Sequence, residues 1–308
     1  MKKFRANGKL LLTGEYLILD GAFSLALPCD LGQSLHFSPN DSNIINWHSF
    51  DHNNHEWFKA SFNIESFELI QTSNSESFEW LIKVIKNALK LSKKEKFDAG
   101  DINTHLEFPN NWGLGSSSTI LSNIAQLFNI NPFDLHFKCS NGSGYDIACA
   151  KSDGPITYQI KDNNPTYNPI NWYPEYSEEL FFIHLNIKQN SNKEVIRYKQ
   201  NKKDERSIKE ISDLTSELTH CNRLYEMEKI ILEHEKIIGY CIGEKPIKEK
   251  YFSSYDGAIK SLGAWGGDFI LATRNQIKYF ENKGFKTIIS FDKMIKKNSI
   301  IKKSEQLI

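Results

Sequence analysis

One segment, residues 109–119 with the sequence PNNWGLGSSST, constrains the fold of this chain more than any other. It follows a strand-like stretch, residues 101–108, in which apolar and polar residues alternate, and it leads into residues 119–128, whose apolar residues have helical spacing. Glycines let backbone N–H groups converge, serines add short donors, and a helix N-terminus carries partial positive charge. This order of elements predicts an anion site. An ordinary N-capped helix after a flexible turn is the alternative.

Three common phosphate-binding patterns do not fit the chain. The P-loop pattern fails because no lysine follows Gly115. The dinucleotide pattern fails at residues 142–144, which lack a third glycine and have no clear strand before them. The strings typical of protein kinases do not occur in the sequence. The anion site therefore belongs to another class.

Four segments resemble the superfamily of galactokinase, homoserine kinase, mevalonate kinase and phosphomevalonate kinase, the GHMP kinases. Residues 109–117 are similar to its central motif, Pro-x-x-x-Gly-Leu-Gly-Ser-Ser. Residues 6–16 (ANGKLLLTGEY) resemble its first motif, and residues 260–268 (KSLGAWGGD) resemble its glycine-rich third motif. Residues 142–146 (GSGYD) resemble the segment that carries the catalytic Asp. The segments stand in the order of the superfamily, and they span most of the chain.

Details of these motifs favour the mevalonate branch. Residues 14–16, Gly-Glu-Tyr, end in Tyr rather than His, and Asp268 closes the third motif; both features are similar to phosphomevalonate kinases. Two residues depart from the family pattern. Trp265 stands where the family usually has Gly, and Trp112 is larger than the usual small residue. We expect both to reshape the pocket, and Trp265 to fill part of the acceptor site.

The resemblance implies an α/β (α+β) chain with the two-domain GHMP kinase fold. Residues 1–165 would form an N-terminal α/β domain with a left-handed βαβ crossover and the phosphate-binding loop. Residues 176–308 would form a ferredoxin-like C-terminal domain. The Asn-, Pro- and Tyr-rich residues 161–179 mark the boundary between them. Periodicity independently predicts helices at residues 78–91, 204–220 and 224–240, and short strands at residues 16–19, 23–27 and 155–160.

The resemblance also implies a role for each residue of the site. Asp146 would take or orient the proton of an acceptor hydroxyl. Lys9, placed near it, would keep Asp146 ionised and stabilise charge on the moving phosphoryl group. Ser117 would approach Mg²⁺. The ATP phosphates would be bound by Gly113, Leu114, Gly115, Ser116, Ser117 and Ser118. The acceptor would be bound by Ser143, Gly144, Gly263, Ala264, Gly266, Gly267, Lys188 and Ser191.

These residues also have purely structural interpretations. Asp146 would cap the helix that follows it, and Lys9 would be a surface lysine. Residues 263–267 would form only a tight turn, and residues 188–191 would be solvated loop. Mevalonate kinases carry an acidic Mg²⁺ ligand upstream of the catalytic Asp, but Asp134, the nearest acid here, is out of register. Mg²⁺ would then be held largely by ATP phosphates and water.

Composition and charge exclude several function classes. The 38 Lys and Arg residues balance 38 Asp and Glu residues, so no nucleic-acid partner is expected. No stretch approaches the ~20 apolar residues of a membrane span, and charged residues interrupt the apolar N-terminus, so neither a membrane anchor nor a signal peptide is expected. The 5 cysteines are scattered and form no C-x-x-C pair, which is typical of a reducing cytoplasm. The sequence leaves open whether the chain forms a homodimer.

We therefore expect a cytoplasmic, ATP-dependent phosphotransferase that moves the γ-phosphoryl group of ATP to an acceptor of the mevalonate, or isoprenoid, route. Phosphomevalonate kinase fits the motif details best, and mevalonate kinase is the alternative. A catalytically silent relative that binds a nucleotide and acts through partners is an alternative from a different class. The presence of Lys9 and Asp146 argues for catalytic activity, whereas the unusual Trp112 and Trp265 leave the catalytically silent alternative open.

Overall fold

The computed structural model describes residues 1–93, 97–187, 198, 204–263, 265 and 267–298. The chain divides into two compact units that are each discontinuous in sequence. Unit one comprises residues 1–8, 31–110 and 114–151, and unit two comprises residues 9–30, 111–113 and the described residues from 152 onward. The domain limits 1–165 and 176–308 stay a prediction. None of the described helices is both long and apolar enough to cross a membrane.

Unit one is a mixed sheet with helices packed on it. Its strands run β5-β4-β3-β6-β2, and β1 pairs with β2. Strands β3 and β6 are parallel and are joined by a connection that contains α1, whereas the other pairs of this series are antiparallel. The strands are β1 (Lys2–Leu11), β2 (Ser24–Pro39), β3 (Ile44–Phe50), β4 (Glu56–Asn63), β5 (Leu69–Thr72) and β6 (Gly100–Leu106). The helices are α1 (Ser75–Ser92), α2 (Ser116–Phe128), α3 (Pro132–Cys139) and α4 (Tyr145–Lys151).

Helix α1 shows how the sequence builds this unit. The side chain of Asn74 accepts a hydrogen bond from the N–H of Ser77, which satisfies one of the free donors at the helix start. Leu81 and Ile85, one turn apart, are buried on the face that meets the sheet. Alternate residues of the strands, among them Phe37 of β2, point into the same core. The helix predicted at residues 78–91 is confirmed.

Unit two contains a β-hairpin and a separate antiparallel sheet. In the hairpin, β7 (Ile156–Lys161) pairs with β8 (Asn164–Pro169), and β7 also pairs with the first residues of β2. The separate sheet has the order β12-β9-β11-β10. Its strands are β9 (Phe181–His184), β10 (Ile259–Ser261), β11 (Phe269–Ala272) and β12 (Ile288–Ser290). The helices are α5 (Glu205–His220), α6 (Leu224–Ile242), α7 (Ile247–Tyr251), α8 (Ile277–Asn282) and α9 (Phe291–Met294).

The order of the separate sheet matches the ferredoxin-like domain that the resemblance implies. Counted along the chain, its neighbouring strands are the fourth, first, third and second, and every pair is antiparallel. Long helices α5 and α6 lie between the first and second of these strands and pack against each other. The predicted fold class, α/β (α+β), and the helices predicted at residues 204–220 and 224–240 are confirmed.

One predicted strand is wrong. Residues 16–19 form no strand: Tyr16 is the cap of a 3₁₀ turn, Leu17–Asp20, and the other three residues lie in that turn. Gly14 and Tyr16 both have positive φ, 90° and 63°, which an extended strand does not allow. A short apolar run such as this one cannot be assigned by periodicity alone, because buried turns and buried strands have the same composition.

Candidate active site

The glycine-serine loop ends in a helix that begins three residues earlier than the apolar spacing predicted. Gly115 is the N-cap of α2 with φ 89°, and Gly113 has φ 67°, both in the left-handed region that favours glycine. Ser116, Ser117 and Ser118 therefore form the first turn of α2. The N–H groups of a first turn have no partner within the helix, so they are available to an anion.

The serine hydroxyls of this turn differ in their surroundings. Ser118 is buried, and its hydroxyl donates to the carbonyl of Gly115 at 2.8 Å, so its proton is used within the turn. Ser117 is exposed. The next residue, Thr119, donates to the side-chain oxygen of Gln33 on β2 at 2.7 Å, which fastens the start of α2 to the sheet of unit one. Ser117 is therefore the hydroxyl of this group best placed to meet a ligand from solvent.

The proposed catalytic carboxylate lies at the start of α4, which packs against α2 within unit one. Gly144 has φ 88°, Ser143 is buried, and Asp146 is the second residue of the helix and half-buried. One oxygen of Asp146 accepts from the N–H of Ile147 at 3.0 Å. This contact to the next residue is not the one that an N-cap makes, because a cap accepts from an N–H two or three residues further on; it does fix the orientation of the carboxylate. The position of Asp146 at the start of α4 is compatible with a structural role and with a catalytic one.

Unit two brings Lys9, Gly113, Gly263 and Asp268 together. The ammonium of Lys9 donates to the carbonyl of Gly113 at 2.8 Å. A Cβ built on Gly113 would lie 2.2 Å from Oδ2 of Asp268, and one built on Gly263 would lie 3.6 Å from the same oxygen. The buried Asp268 carboxylate therefore occupies the space that a side chain at position 113 would need, whereas it lies only at ordinary contact distance from a Cβ at position 263. Gly267, in the same turn, is also buried.

Asp268 is a residue that the sequence analysis noted only as a family mark. Its contact with Gly113 gives a physical reason for glycine at position 113, in addition to the positive φ. Four residues predicted for the acceptor site, Ala264, Gly266, Lys188 and Ser191, lie outside the described residues. Their roles stay predictions.

The two unusual tryptophans pack on other elements of unit two. The Trp112 ring meets Phe269 of β11 edge-on, with centroids 5.3 Å apart, and it also lies beside His184. The ring nitrogen Nε2 of His184 donates to the carbonyl of Asn111 at 3.1 Å. Trp112 and His184 thus fasten residues 111–112 to the ferredoxin-like sheet. These contacts give Trp112 an anchoring role, and its expected effect on the shape of the pocket stays a prediction.

Trp265 is buried in a cluster with Tyr16, Leu17 and Ile238. Its ring reaches Gly239 of α6, where a Cβ would lie 3.1 Å from the ring atom Cη2. The side chain therefore packs into the helix side of the third glycine-rich turn. This packing anchors the turn on α6, and the expectation that Trp265 also fills part of the acceptor site stays a prediction.

A buried cluster of charges joins the first and third motifs to α6. Lys260, at 1% exposure, donates to Glu15, to Oε1 of Glu235 at 3.0 Å and to the carbonyl of Ser261 at 2.6 Å. The Ser261 hydroxyl donates to the other oxygen of Glu235 at 2.7 Å. Burial tends to lower the pKa of Lys260, but the two carboxylates outweigh it and raise that pKa. Lys260 is therefore a permanently charged centre of the cluster.

His234 lies beside this cluster as a neutral imidazole. Burial, and then the charge of Lys260, lowers the pKa of His234 well below its ordinary value. Its Nε2 accepts the N–H of Gly14 at 3.0 Å, so the ring proton is on Nδ1. One carboxylate oxygen of Glu15 lies 3.5 Å from Nε2 of His234. Because Nε2 carries no proton and the ring is neutral, these two atoms do not form a salt bridge. Within the described part of the chain, neither this oxygen nor Nδ1 has a hydrogen-bond partner.

Glu15 should make the stability of the protein depend on pH. Burial raises the pKa of Glu15 to about 7, against the opposing effect of Lys260. The folded state then holds this proton more tightly than the unfolded state, so the contribution of Glu15 to stability is complete below the ordinary pKa of 4.5 and is lost as pH rises through about 7. Replacing Glu15 with Gln removes this titration.

We expect the free energy of unfolding of the parent protein, relative to that of Glu15→Gln, to fall by up to about 3 kcal/mol between pH values of about 5 and about 8. Urea unfolding of both proteins across this range measures the difference. Parallel pH profiles would show that the Glu15 carboxyl titrates as an ordinary one.

No protein-family model and no curated protein sequence matches this chain. Solved structures do match, and they show that the chain has the fold of the GHMP kinases. Phosphomevalonate kinase from Streptococcus pneumoniae, solved with phosphomevalonate and AMPPNP, is 15% identical with a TM-score of 0.70 over 94% of this chain and 100% of that one. Mevalonate kinase from Methanococcus jannaschii is 16% identical with a TM-score of 0.64 over 94% and 98% of the two chains.

A galactokinase from Lactococcus lactis, solved with galactose, is 12% identical with a TM-score of 0.68 over 96% of this chain and 94% of that one. At sequence identities of 12%, 15% and 16%, the likeness to these structures establishes the fold of the chain. The resemblance drawn from the four motifs is confirmed at that level, and it holds over nearly the whole chain.

Proposed function

We propose that this protein is an ATP-dependent phosphotransferase that moves the γ-phosphoryl group of ATP to a small-molecule acceptor. The observation that carries the proposal is the glycine-serine loop. Its glycines have positive φ, its serines open α2, and its Gly113 carbonyl accepts the ammonium of Lys9. The loop stands in a chain whose fold is shared with three kinds of small-molecule kinase.

In this proposal, phosphoryl transfer is a matter of positioning and charge stabilisation. The free N–H groups at the start of α2 and the exposed hydroxyl of Ser117 bind the ATP phosphates. An acceptor oxygen bonds to the γ-phosphorus while the bond from phosphorus to the bridging oxygen of ADP breaks. Asp146 takes or orients the acceptor proton, and Lys9 stabilises the charge on the group in transfer.

The residues of the loop fit a Mg²⁺ ion that is bound mainly through ATP. Mg²⁺ prefers oxygen ligands and keeps several waters. Within the described ranges, no three His, Cys, Asp or Glu side chains form a metal cluster, whereas Ser117 offers one exposed hydroxyl oxygen at the loop. We place Ser117 as the protein ligand of the ion. When bound, the ion neutralises phosphate charge.

The proposed acceptor is phosphomevalonate, and the proposed setting is the cytoplasmic isoprenoid route. The Gly-Glu-Tyr of residues 14–16 and the closing Asp268 support this choice, as does the likeness to a phosphomevalonate kinase that binds phosphomevalonate. Mevalonate is the second candidate because mevalonate kinases share the fold equally.

A panel of acceptors tests the proposal. ADP release is measured with ATP, Mg²⁺ and one of mevalonate, phosphomevalonate, homoserine or galactose. We expect the fastest release with phosphomevalonate. Fastest release with mevalonate would replace the acceptor but keep the enzyme class. Binding of ATP without ADP release for any acceptor would favour the silent nucleotide-binding relative.

Replacing Ser117 with Ala should weaken the use of Mg-ATP and leave the fold intact, because one exposed hydroxyl is lost at a helix start. Loss of one positioned donor typically costs about 3 kcal/mol in the transition state. Steady-state turnover with titrated Mg²⁺ and ATP measures the effect. Ser118→Ala is the matched control for the hydroxyl group alone: the Ser118 hydroxyl already bonds to Gly115, so its loss should cost stability rather than turnover, and the variant keeps the backbone N–H through which residue 118 would bind phosphate. Unchanged turnover of Ser117→Ala at all Mg-ATP concentrations would remove Ser117 from the site.

A further inference from the structure

We propose that Glu235 and His234 of α6 are positioning residues of the phosphotransferase site, because they hold the first motif and the third glycine-rich turn in fixed relation. The catalytic meaning of this inference rests on the proposed function. Neither residue belongs to any of the four motifs. Both are buried in the middle of α6, at 1% and 0% exposure.

Glu235 and His234 bind one segment each. Glu235 accepts from Lys260 and from Ser261, the last two residues of β10, at 3.0 and 2.7 Å. His234 accepts the backbone N–H of Gly14 at 3.0 Å. The ammonium of Lys260 closes the arrangement because it also donates to Glu15, the residue after Gly14. Two adjacent helix residues therefore link segments of the chain that are 245 residues apart.

The two linked segments both lead to Gly113. Strand β10 continues directly into the third glycine-rich turn, which returns at Asp268 with its carboxylate packed against Gly113. The first motif begins with Lys9, whose ammonium binds the carbonyl of Gly113. A shift of β10 relative to the first motif would move Asp268 relative to Lys9, and Gly113 contacts both of these side chains. The position of Gly113 thus depends on the link through α6.

Helix α6 contains a second buried glutamate with which Glu235 can be compared. Glu228, about two turns earlier, is also buried and accepts from Thr273 and Arg274, which follow β11. Glu228 therefore makes the same kind of helix-to-sheet contact, but to residues outside the motifs. A buried ion pair gives little net stability compared with apolar packing, so stability alone does not account for the charged cluster at Glu235.

The test compares Glu235→Ala with Glu228→Ala, two equal truncations on one helix. Amide hydrogen exchange of residues 10–18 and 259–263 reports whether the two segments loosen, and kcat and KM for Mg-ATP report the catalytic effect. We expect Glu235→Ala to raise exchange in both segments and to lower kcat at least ~10-fold. We expect Glu228→Ala to leave both segments protected and kcat within about threefold, although its urea midpoint falls as well. Glu235→Gln, which keeps the shape, provides the same comparison if Glu235→Ala does not fold.

Equal exchange or equal kcat losses in the Glu235 and Glu228 variants would overturn the inference, since a merely structural contact predicts that result. The exchange measurement does not depend on catalysis. If the parent protein turns over no acceptor, the proposed function fails, and exchange alone still decides whether Glu235 holds the two segments. Glu235→Gln keeps one of the two acceptor oxygens, so the link predicts a smaller loss of protection there than in Glu235→Ala. Protection that stays unchanged in whichever of these variants folds would refute the link.

Discussion

Replacing Asp146 with Asn is expected to lower phosphoryl transfer by ~10²–10⁴-fold, the usual range for a general acid–base group. Asn keeps the size of the side chain and removes its charge and basicity. It also keeps an oxygen for the N–H of Ile147, so stability should change little. Nucleotide binding should persist because the loop at α2 is untouched. Steady-state turnover with ATP titration measures the change.

The acceptor should set the size of this loss. An acceptor hydroxyl must lose its proton, so the loss should lie at the upper end of the range. A phosphate acceptor is already largely ionised near neutral pH, so Asp146 would orient more than deprotonate and the loss should lie at the lower end. A helix cap without a catalytic role predicts near-normal turnover with either acceptor. Turnover within about threefold of the parent protein would therefore remove Asp146 from the chemistry.

Gly113→Ala is expected to impair both stability and turnover. The added methyl group would lie 2.2 Å from Oδ2 of Asp268, so either the carboxylate or the loop must move. A displacement of about 1 Å in a positioned site costs up to ~10²-fold in rate, and we expect a loss of that order. Turnover at saturating Mg-ATP and urea unfolding measure the two effects.

Gly243→Ala is the matched control for Gly113→Ala. Gly243 has φ 70°, close to the 67° of Gly113, and no described atom lies within 4 Å of its built Cβ. It should show only the cost of a left-handed alanine, about 1–2 kcal/mol of stability, with normal turnover. Equal behaviour of the two variants would mean that the contact between Gly113 and Asp268 does not support catalysis.

The parts of the site that sequence analysis predicted are local. A strand, two glycines, three serines and a helix within residues 101–128 specify an anion site without knowledge of the rest of the fold. The helix starts early, at Ser116, because serines in a first turn contribute no apolar periodicity. The run at residues 16–19 was assigned wrongly because the positive φ of Tyr16 has no signature in composition.

The buried cluster could not be predicted because its members come from distant segments. Glu15 and Lys260 are 245 residues apart, and Glu235 belongs to no motif. The sequence of α6 did contain one signal of the buried cluster. In α6 the ionisable residues Glu228, His234 and Glu235 share the buried face with Met227, Ile231 and Ile238. An ionisable residue on an apolar helix face requires a buried partner, but the sequence does not say which one.

The most direct test of the proposed function is product analysis by mass spectrometry after incubation of the parent protein with ATP, Mg²⁺ and phosphomevalonate. We expect ADP and an acceptor that carries one additional phosphoryl group, in equal amounts, with Asp146→Asn as the slow control. ATP that remains intact with phosphomevalonate, mevalonate, homoserine and galactose, although the protein binds it, would contradict phosphotransferase activity.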